Sequence, residues 1–416
     1  MASLSDREYR RAFYRAVDPF QAAKPTSREY YEPIYDRPAL ADQDVTVGLR
    51  DGIEFTAGTS VHFLSGFRGC GKTSELLRLK EDMARSGYRV VYVDVDDYFN
   101  TELPLDMGGF AFGLAAGFAD GCEQIPGGAA AKEPPRERFT RLLKRLQIEP
   151  SYGYGGAEIK ASLRDDDSFR KKLNDAMRSN RKTFRQELHT FFRDTASTVR
   201  TDRGTVYIVD SIDHFRGRAE RFDEVRQSVE AVFIELADDL ILPGINTIYT
   251  VPIYVQPEPL GVRHDVLNIK VTNRDGSPNA DGRDALRAVL TKRAPDHDLE
   301  RLVEGPTLER LVEVSGGLIR DLLRLAQELL LVPGSLPADG AALTRAEFVI
   351  RRNMESTLSQ EQVDLLRKVA STRDLKPEND QWADAMALMS GGAILLYPNG
   401  ERAWYDVHPL LKSLLG

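Results

Sequence analysis

One octapeptide constrains this chain more than any other feature. Gly66-Phe67-Arg68-Gly69-Cys70-Gly71-Lys72-Thr73 follows a short apolar run, Val61 to Ser65, and opens a stretch of helical spacing from Thr73 to Ser86 that Gly87 closes. A second apolar run, Arg89 to Asp94, then reads as a buried strand. Strand, loop, helix and strand make the βαβ unit of a parallel sheet. The octapeptide satisfies G-x-x-x-x-G-K-[ST] in full, in the strand-to-helix setting that gives the pattern its meaning. Glycines let successive N–H groups turn inward round a phosphate, and the helix N-terminus adds the positive end of its dipole. In such a loop Lys72 reaches the β- and γ-phosphates and Thr73 ligates Mg²⁺. Gly66, Arg68, Gly69, Cys70, Gly71 and Ser74 complete the expected nucleotide cradle. Cys70 contributes backbone there, and its thiol would make the loop sensitive to thiol reagents.

The expected partner strand is Val206 to Asp210, four apolar residues ending in a carboxylate beside the metal. Asp210 lies 137 residues after Thr73, which leaves room for a helical insertion. Ser211 stands where many P-loop ATPases carry glutamate, and a serine cannot act as the general base. Asp213 is the next carboxylate able to activate water; the alternative is that it caps the following helix. Turnover is therefore expected to be slow or dependent on a partner. Thr250, in the strand Thr247 to Val251 that Pro252 ends, either senses the γ-phosphate or is an ordinary strand threonine. A fourth strand is expected over Val266 to Val271. Arg320, one turn into the helix after Ser315-Gly316-Gly317, either reaches the phosphates from a lid or lies in solvent. Arg263, between the third and fourth strands, is a candidate arginine finger toward a neighbouring subunit.

These pieces divide the chain into an arm (1–50), an ATPase core (51–275) with a helical insertion at about 103–203, a helical lid (276–340) and a last segment (345–416). The arm reads as a short helix and an extended stretch. Its Tyr30, Tyr31 and Tyr35 either stack on a nucleotide base or pack on the core. The insertion reads as a buried glycine-rich helix from Met107, a break at 126–135, and helices at 136–147 and 168–200. The apolar run Met107 to Ala119, about 13 residues, is shorter than the ~20 a membrane span needs. In the last segment, helices at 359–370 and 380–389 precede Ile394 to Tyr397, Asn399-Gly400 and Trp404 to Val407, a hairpin signal that suggests a winged helix.

Charge narrows the partners. The chain has 56 Lys and Arg against 64 Asp and Glu, a net of −8, which argues against a globally basic nucleic-acid binder. Residues 132–203 alone carry 18 basic against 11 acidic side chains. That segment is either a solvated helical hairpin or a surface for an acidic partner or a nucleic-acid backbone. The last segment has nine basic and ten acidic residues, and its second helix has two acids and no base, unlike a DNA-recognition helix. With only Cys70 and Cys122, no apolar leader and no long apolar run, a cytoplasmic location is expected.

GFRGCGKT, VYIVDSIDH, IYTVP and SGGLIRDLLR together resemble the ATPases of the AAA+ and STAND superclass, over roughly residues 45–416. The loop is similar to those of origin-initiator-like and STAND ATPases. Asp210 and Asp213, spaced by Ser-Ile, resemble the paired acids of NACHT proteins, with His214 where those often have glutamate. Arg320 matches the sensor-2 arginine of AAA+ lids. The resemblance implies an α/β P-loop fold, a three-layer parallel sheet with helical insertion, helical lid and C-terminal winged helix. It implies ATP rather than GTP, which agrees with the lack of an N-K-x-D motif, and Mg²⁺. It further implies a nucleotide-operated switch that self-assembles and regulates an effector or sensor in another chain, as in signalling or anti-phage defence. Ser211 departs from the family pattern, and the chain is too short for the usual effector and repeat sensor. A DNA-associated ATPase of initiator or transposition-regulator type, an ATP-binding scaffold without turnover, and a kinase stay open as alternatives.

Overall fold

The computed structural model describes residues 5–21, 30–56, 58–125, 133–216, 221–235, 237–257, 260–378, 381–400 and 403–416. In chain order the main elements are α1 (Asp6–Ala16), α2 (Val45–Glu54), β1 (Ser60–Gly66), α3 (Lys72–Arg85), β2 (Arg89–Asp94) and α4 (Met107–Gln124). The insertion continues with α5 (Pro135–Arg145), α6 (Gly156–Asp165), α7 (Asp167–Ser179) and α8 (Arg181–Val199). Then come β3 (Thr205–Asp210), α9 (Phe222–Glu230), β4 (Ile245–Val251) and β5 (Val262–Val266). The remainder is α10 (Ala280–Arg293), α11 (Gly305–Val314), α12 (Ile319–Leu331), α13 (Gly340–Glu355), α14 (Gln360–Thr372), α15 (Trp382–Ser390), β6 (Ile394–Tyr397) and β7 (Trp404–Val407).

The class is the expected one: α/β, with a parallel sheet, a helical insertion, and helices closed by a two-stranded hairpin at the C-terminal end. The sheet order is β2-β3-β4-β1-β5, so β4 separates the loop-bearing strand from β3. β1 pairs with β4, and β3 with both β4 and β2, all parallel. Because these strands run parallel, Gly66, Asp94, Asp210 and Val251 all end at the carboxyl edge, where α/β sheets place ligands.

The residues form two compact units: Val45–Ser65 with Leu79–Asp265, and Met1–Asp44 with Gly66–Arg78 and Val266–Gly416. The first, the sheet unit, has its core around β2, β3, β4 and the insertion. The glycine-rich run from Met107 is buried as expected, and its small residues have a use. A Cβ at Gly113 would collide with the Phe99 ring, one at Gly117 would meet Val93 Cγ1 at 2.8 Å, and one at Gly121 would meet Val91 Cγ1 at 2.5 Å. The helix lies against β2 because those positions have no side chain. Among the described residues no helix is long and apolar enough to cross a membrane.

Four expectations need correction. The fourth strand is Val262–Val266, not 266–271, because the polar edge strand Arg263-His264-Asp265 carries no apolar run. The stretch 168–200 is two helices, divided at Asn180, whose side chain accepts from Thr183 N and caps α8. A further helix, α6, begins directly after the glycine-tyrosine stretch 151–156. Over residues 30–50 the arm is not extended: residues 34–36 and 41–43 form 3₁₀ turns and α2 follows. The break at 126–132 lies outside the described residues.

Under α2, His62 on β1 and His264 on β5 face each other with ring centroids 6.0 Å apart. Gly52 and Gly48 let the helix approach; a Cβ at either would meet the Cε1 of His62 or His264 at 2.5 and 2.9 Å. Burial pushes His62 down to about 4, and neighbouring His264 presses the same way. The unfolded chain takes up that proton near pH 6.5 and the folded chain only near 4. Stability is therefore level above pH 6.5 and falls as pH drops through this window, by about 3 kcal/mol for His62 alone. Thermal unfolding followed by circular dichroism from pH 7 to 4 should show this slope, and His62→Gln should flatten it.

Candidate functional site

The second unit carries the phosphate loop. Gly66, Gly69 and Gly71 have φ of +147°, +93° and +105°, open to glycine and strained for other residues. A Cβ at Gly66 would meet Val266 O at 2.5 Å and Cys70 Sγ at 3.1 Å. Lys72, 6% exposed, curls back so that Nζ donates to Gly66 O and Phe67 O, each at 2.9 Å. The ammonium thus sits inside the curve of the loop. Thr73 and Ser74 are half-buried in the first turn of α3, and Arg68 is exposed. Cys70 is buried, so its thiol is shielded from the attack its position suggests.

The start of α12 rests on this loop. Arg320 N donates to Gly69 O at 3.0 Å, and a Cβ at Gly69 would collide with Arg320 Cβ. Arg320 is half-buried. The next residue, Asp321, faces the fully buried His408 (Nε2 to Oδ2, 3.4 Å). His408 Nδ1 accepts from Leu410 N at 3.3 Å, which turns Nε2 toward Asp321. Burial works to raise the Asp321 pKa, but the bond from His408 and the charges of Arg324 and Arg320 outweigh it and hold the carboxyl low.

The arm reaches α3. Tyr31 donates its hydroxyl to Glu75 Oε1 at 3.1 Å, Arg78 Nε donates to Glu75 Oε2 at 2.8 Å, and Arg78 also pairs with Asp44 at 2.5 Å. Burial raises the Glu75 pKa, with Arg78 opposing it. Tyr31 is therefore tied to α3 by its hydroxyl, and Tyr35 is buried. Glu75 went unread in the sequence because only its contacts, not its spacing, mark it.

The sheet unit carries the carboxylates. Asp210, 1% exposed, accepts from Tyr92 OH and from Ser211 N, both at 2.7 Å. Ser211 takes the left-handed conformation, φ +70°. Asp213 lies in the following 3₁₀ turn, Ile212–His214, and is half-buried. The N-cap position of α9 is Arg221, so Asp213 does not cap that helix. His214 Nδ1 lies 2.7 Å from Asp96 Oδ2. Thr250, fully buried, accepts from Ile212 N at 3.0 Å and donates to Val209 O at 3.5 Å, which fastens the turn carrying Asp213 to β4. Asp94 ends β2 opposite Asp210 in register. Its signal, an apolar strand ending in a carboxylate, is the same one that singled out Asp210.

The residues fit a magnesium nucleotide in kind. The glycine cradle has no room for side chains, and Thr73, in the same unit, offers a hard oxygen donor of the kind Mg²⁺ takes. Among the described residues no group of three or more His, Cys, Asp or Glu could hold a metal, but Mg²⁺ brought by a nucleotide needs only one or two protein ligands.

Arg263 is held internally: its guanidinium donates to Val255 O at 2.6 Å and Ile253 O at 3.1 Å and pairs with Asp265 at 2.8 Å. That arrangement anchors the segment before β5 and withdraws the group from the finger role. The basic insertion is also heavily paired. Arg136 binds Asp120, Arg145 binds Glu187, and Arg181 and Arg185 share Asp239. Arg170 donates to the carbonyls of Leu163 and Arg164, closing the turn between α6 and α7.

No known family's sequence profile matches the chain, and no curated protein sequence matches it. Among solved structures it is similar to Cdc6p from Pyrobaculum aerophilum, at 14% identity over 96% of this chain and 95% of that one, with a TM-score of 0.33. A likeness that distant assigns neither family nor activity.

Proposed function

We propose that the chain binds ATP with Mg²⁺ at Gly66–Ser74, hydrolyses it slowly, and uses the nucleotide state to control assembly with itself or with a partner protein. The observation that carries this reading is the contact of α12 with the loop, where Arg320 N bonds Gly69 O and the Arg320 side chain lies on a residue that must be glycine. A phosphate drawn into the loop would meet Lys72 and the N-terminus of α3, and Arg320 would register it. Residues 276–340 then act as the lid, with 345–416 as the winged helix behind it. Bound Mg²⁺, held by Thr73 and Asp210, would neutralise charge on the phosphates. The base that activates water comes from the carboxyl edge of the sheet, where Asp94 and Asp213 are the available acids. Thr250 acts on this edge by fixing the turn.

A DNA-associated role is less well supported. The insertion's arginines are largely engaged in internal pairs, and α15, Trp382–Ser390, has no basic residue. Binding without turnover is favoured by one residue, Ser211, and a phosphate-release assay separates it from the switch.

The test is solution mass by light scattering, in ADP and then in a non-hydrolysable ATP analogue with Mg²⁺. Assembly with the analogue alone is expected. A monomer in both states would rule out nucleotide-driven self-assembly and leave control of a partner protein, to be sought among co-purifying proteins.

A further inference from the structure

The two ends of α12 meet different things. Its first turn rests on the phosphate loop through the bond from Arg320 N to Gly69 O. The helix is 13 residues long, about 20 Å, and ends in Leu329-Leu330-Leu331. There Leu330 and Leu331 line a groove of about 590 Å³ whose other wall is α1, with Arg7, Arg10, Arg11 and Tyr14. Both walls are fixed in place. Tyr9 and Phe13 of α1 are buried, and Gln327 Nε2 donates to Tyr14 O at 3.2 Å. Arg10 donates to Leu330 O, Val332 O and Gly334 O at 3.4, 3.3 and 2.8 Å, which satisfies carbonyls at the end of α12. The groove therefore exists before any ligand arrives, and a ligand does not have to order it.

Its charge is one-sided. The acids of α1 are turned to other work: Asp6 pairs with Arg301 at 3.0 Å, and Glu8 Oε2 accepts from Ser5 N at 2.9 Å and Ser5 Oγ at 2.6 Å in a capping box. Arg7 and Arg11 stand one turn apart in solvent, and among the described residues neither makes an ion pair. Beside them Tyr14 is 36% exposed and Leu331 59% exposed. A phosphate backbone would match the two guanidiniums and leave the leucine in water. A helix with two carboxylates one turn apart and a large apolar side chain between them would match both features. We propose that this groove docks an acidic amphipathic helix of the partner protein. The proposal rests on the reading of the chain as a switch that controls a partner, and it names how that partner is held. The carboxylates pair with Arg7 and Arg11, and the apolar side chain lies on Leu331 and the Tyr14 ring.

The test selects a displayed library of helical peptides on the full chain, with charged positions varied between Glu and Lys and apolar positions among Leu, Phe and Ala. Peptides with two glutamates one turn apart beside Leu or Phe should be enriched, and the best of them is then synthesised and titrated. Arg7→Glu combined with Arg11→Glu should weaken its binding at least about tenfold. Leu331→Ala, which keeps every charge, should weaken it about fivefold. Raising salt from about 0.1 to about 0.5 M should weaken it as well, because exposed pairs are screened. Enrichment of basic peptides, enrichment of none, or undiminished binding by the double variant overturns the proposal. Oligothymidylate bound more tightly than any selected peptide, and lost in the double variant, gives the groove to a nucleic-acid backbone instead. A dimer of the parent chain that the double variant abolishes gives it to a second copy. Equal peptide affinity in ADP and in a non-hydrolysable ATP analogue keeps the groove and overturns nucleotide control of the partner. Nucleotide-driven assembly without enrichment of acidic peptides overturns the groove and keeps the switch.

Discussion

Lys72→Ala is expected to lose ATP binding, with affinity down at least about 100-fold by calorimetry. A charge-assisted hydrogen bond contributes roughly 1.5–3 kcal/mol. Two such bonds to phosphate, at about 1.4 kcal/mol per factor of ten, account for that loss. The substitution also has an effect without any ligand. Lys72 Nζ is the donor to Gly66 O and Phe67 O. Removing it from a buried position leaves those carbonyls to find other donors, at about 1–3 kcal/mol each if they do not. The unfolding temperature should therefore fall in ligand-free protein, and ATP should no longer raise it. Tight ATP binding by Lys72→Ala would remove the loop from the site altogether.

The loop, the strands before and after it, and β3 are all legible from local sequence, because their signals lie within a few residues of each other. β5 is not, since it is stabilised as a strand by pairing beside β1 and presents Arg263, His264 and Asp265 in place of an apolar run. The apolar residues that follow it are apolar for another reason. Asn268 N donates to Leu396 O and Ile269 N to Gly317 O, so this stretch is a seam among lid and hairpin residues rather than a strand. Both partners lie far along the chain, where no window of sequence can see them. The site divides in the same way. The glycines, Lys72 and Asp210 follow from motif spacing, while the pairing of Asp94 with Asp210 depends on the register of β2 against β3. Arg320 stands out by its place after two glycines. What the sequence could not tell is that Arg263, equally suggestive by position, is consumed by two carbonyls of its own segment.

Gly317→Ala should be among the most damaging single-methyl changes in the chain. Gly317 has φ +80°, a conformation that costs a residue with a Cβ about 1–2 kcal/mol. The added carbon would also collide with Ile269 O, a backbone atom that cannot rotate away, and would approach Ile269 N at 3.2 Å. Relief requires moving the 268–271 segment or the start of α12, and each is fixed. Ile269 N bonds Gly317 O, and Tyr397 OH bonds the neighbouring Gly316 O at 2.6 Å. A total of about 4 kcal/mol is expected, enough to lower the unfolding temperature of this unit by about 10 °C. Gly276→Ala separates the two contributions, because Gly276 has φ +90° with nothing within 4 Å of its added carbon. It should show the conformational cost alone. The functional consequence follows from what comes next in the chain. Three residues after Gly317, Arg320 is bonded to the phosphate loop through Gly69 O. Any relaxation that carries the start of α12 away from Ile269 strains that bond. Molecules that remain folded should therefore bind ATP more weakly, and Gly276→Ala should not share that defect. Wild-type ATP affinity in folded Gly317→Ala would show that the loop works without support from α12.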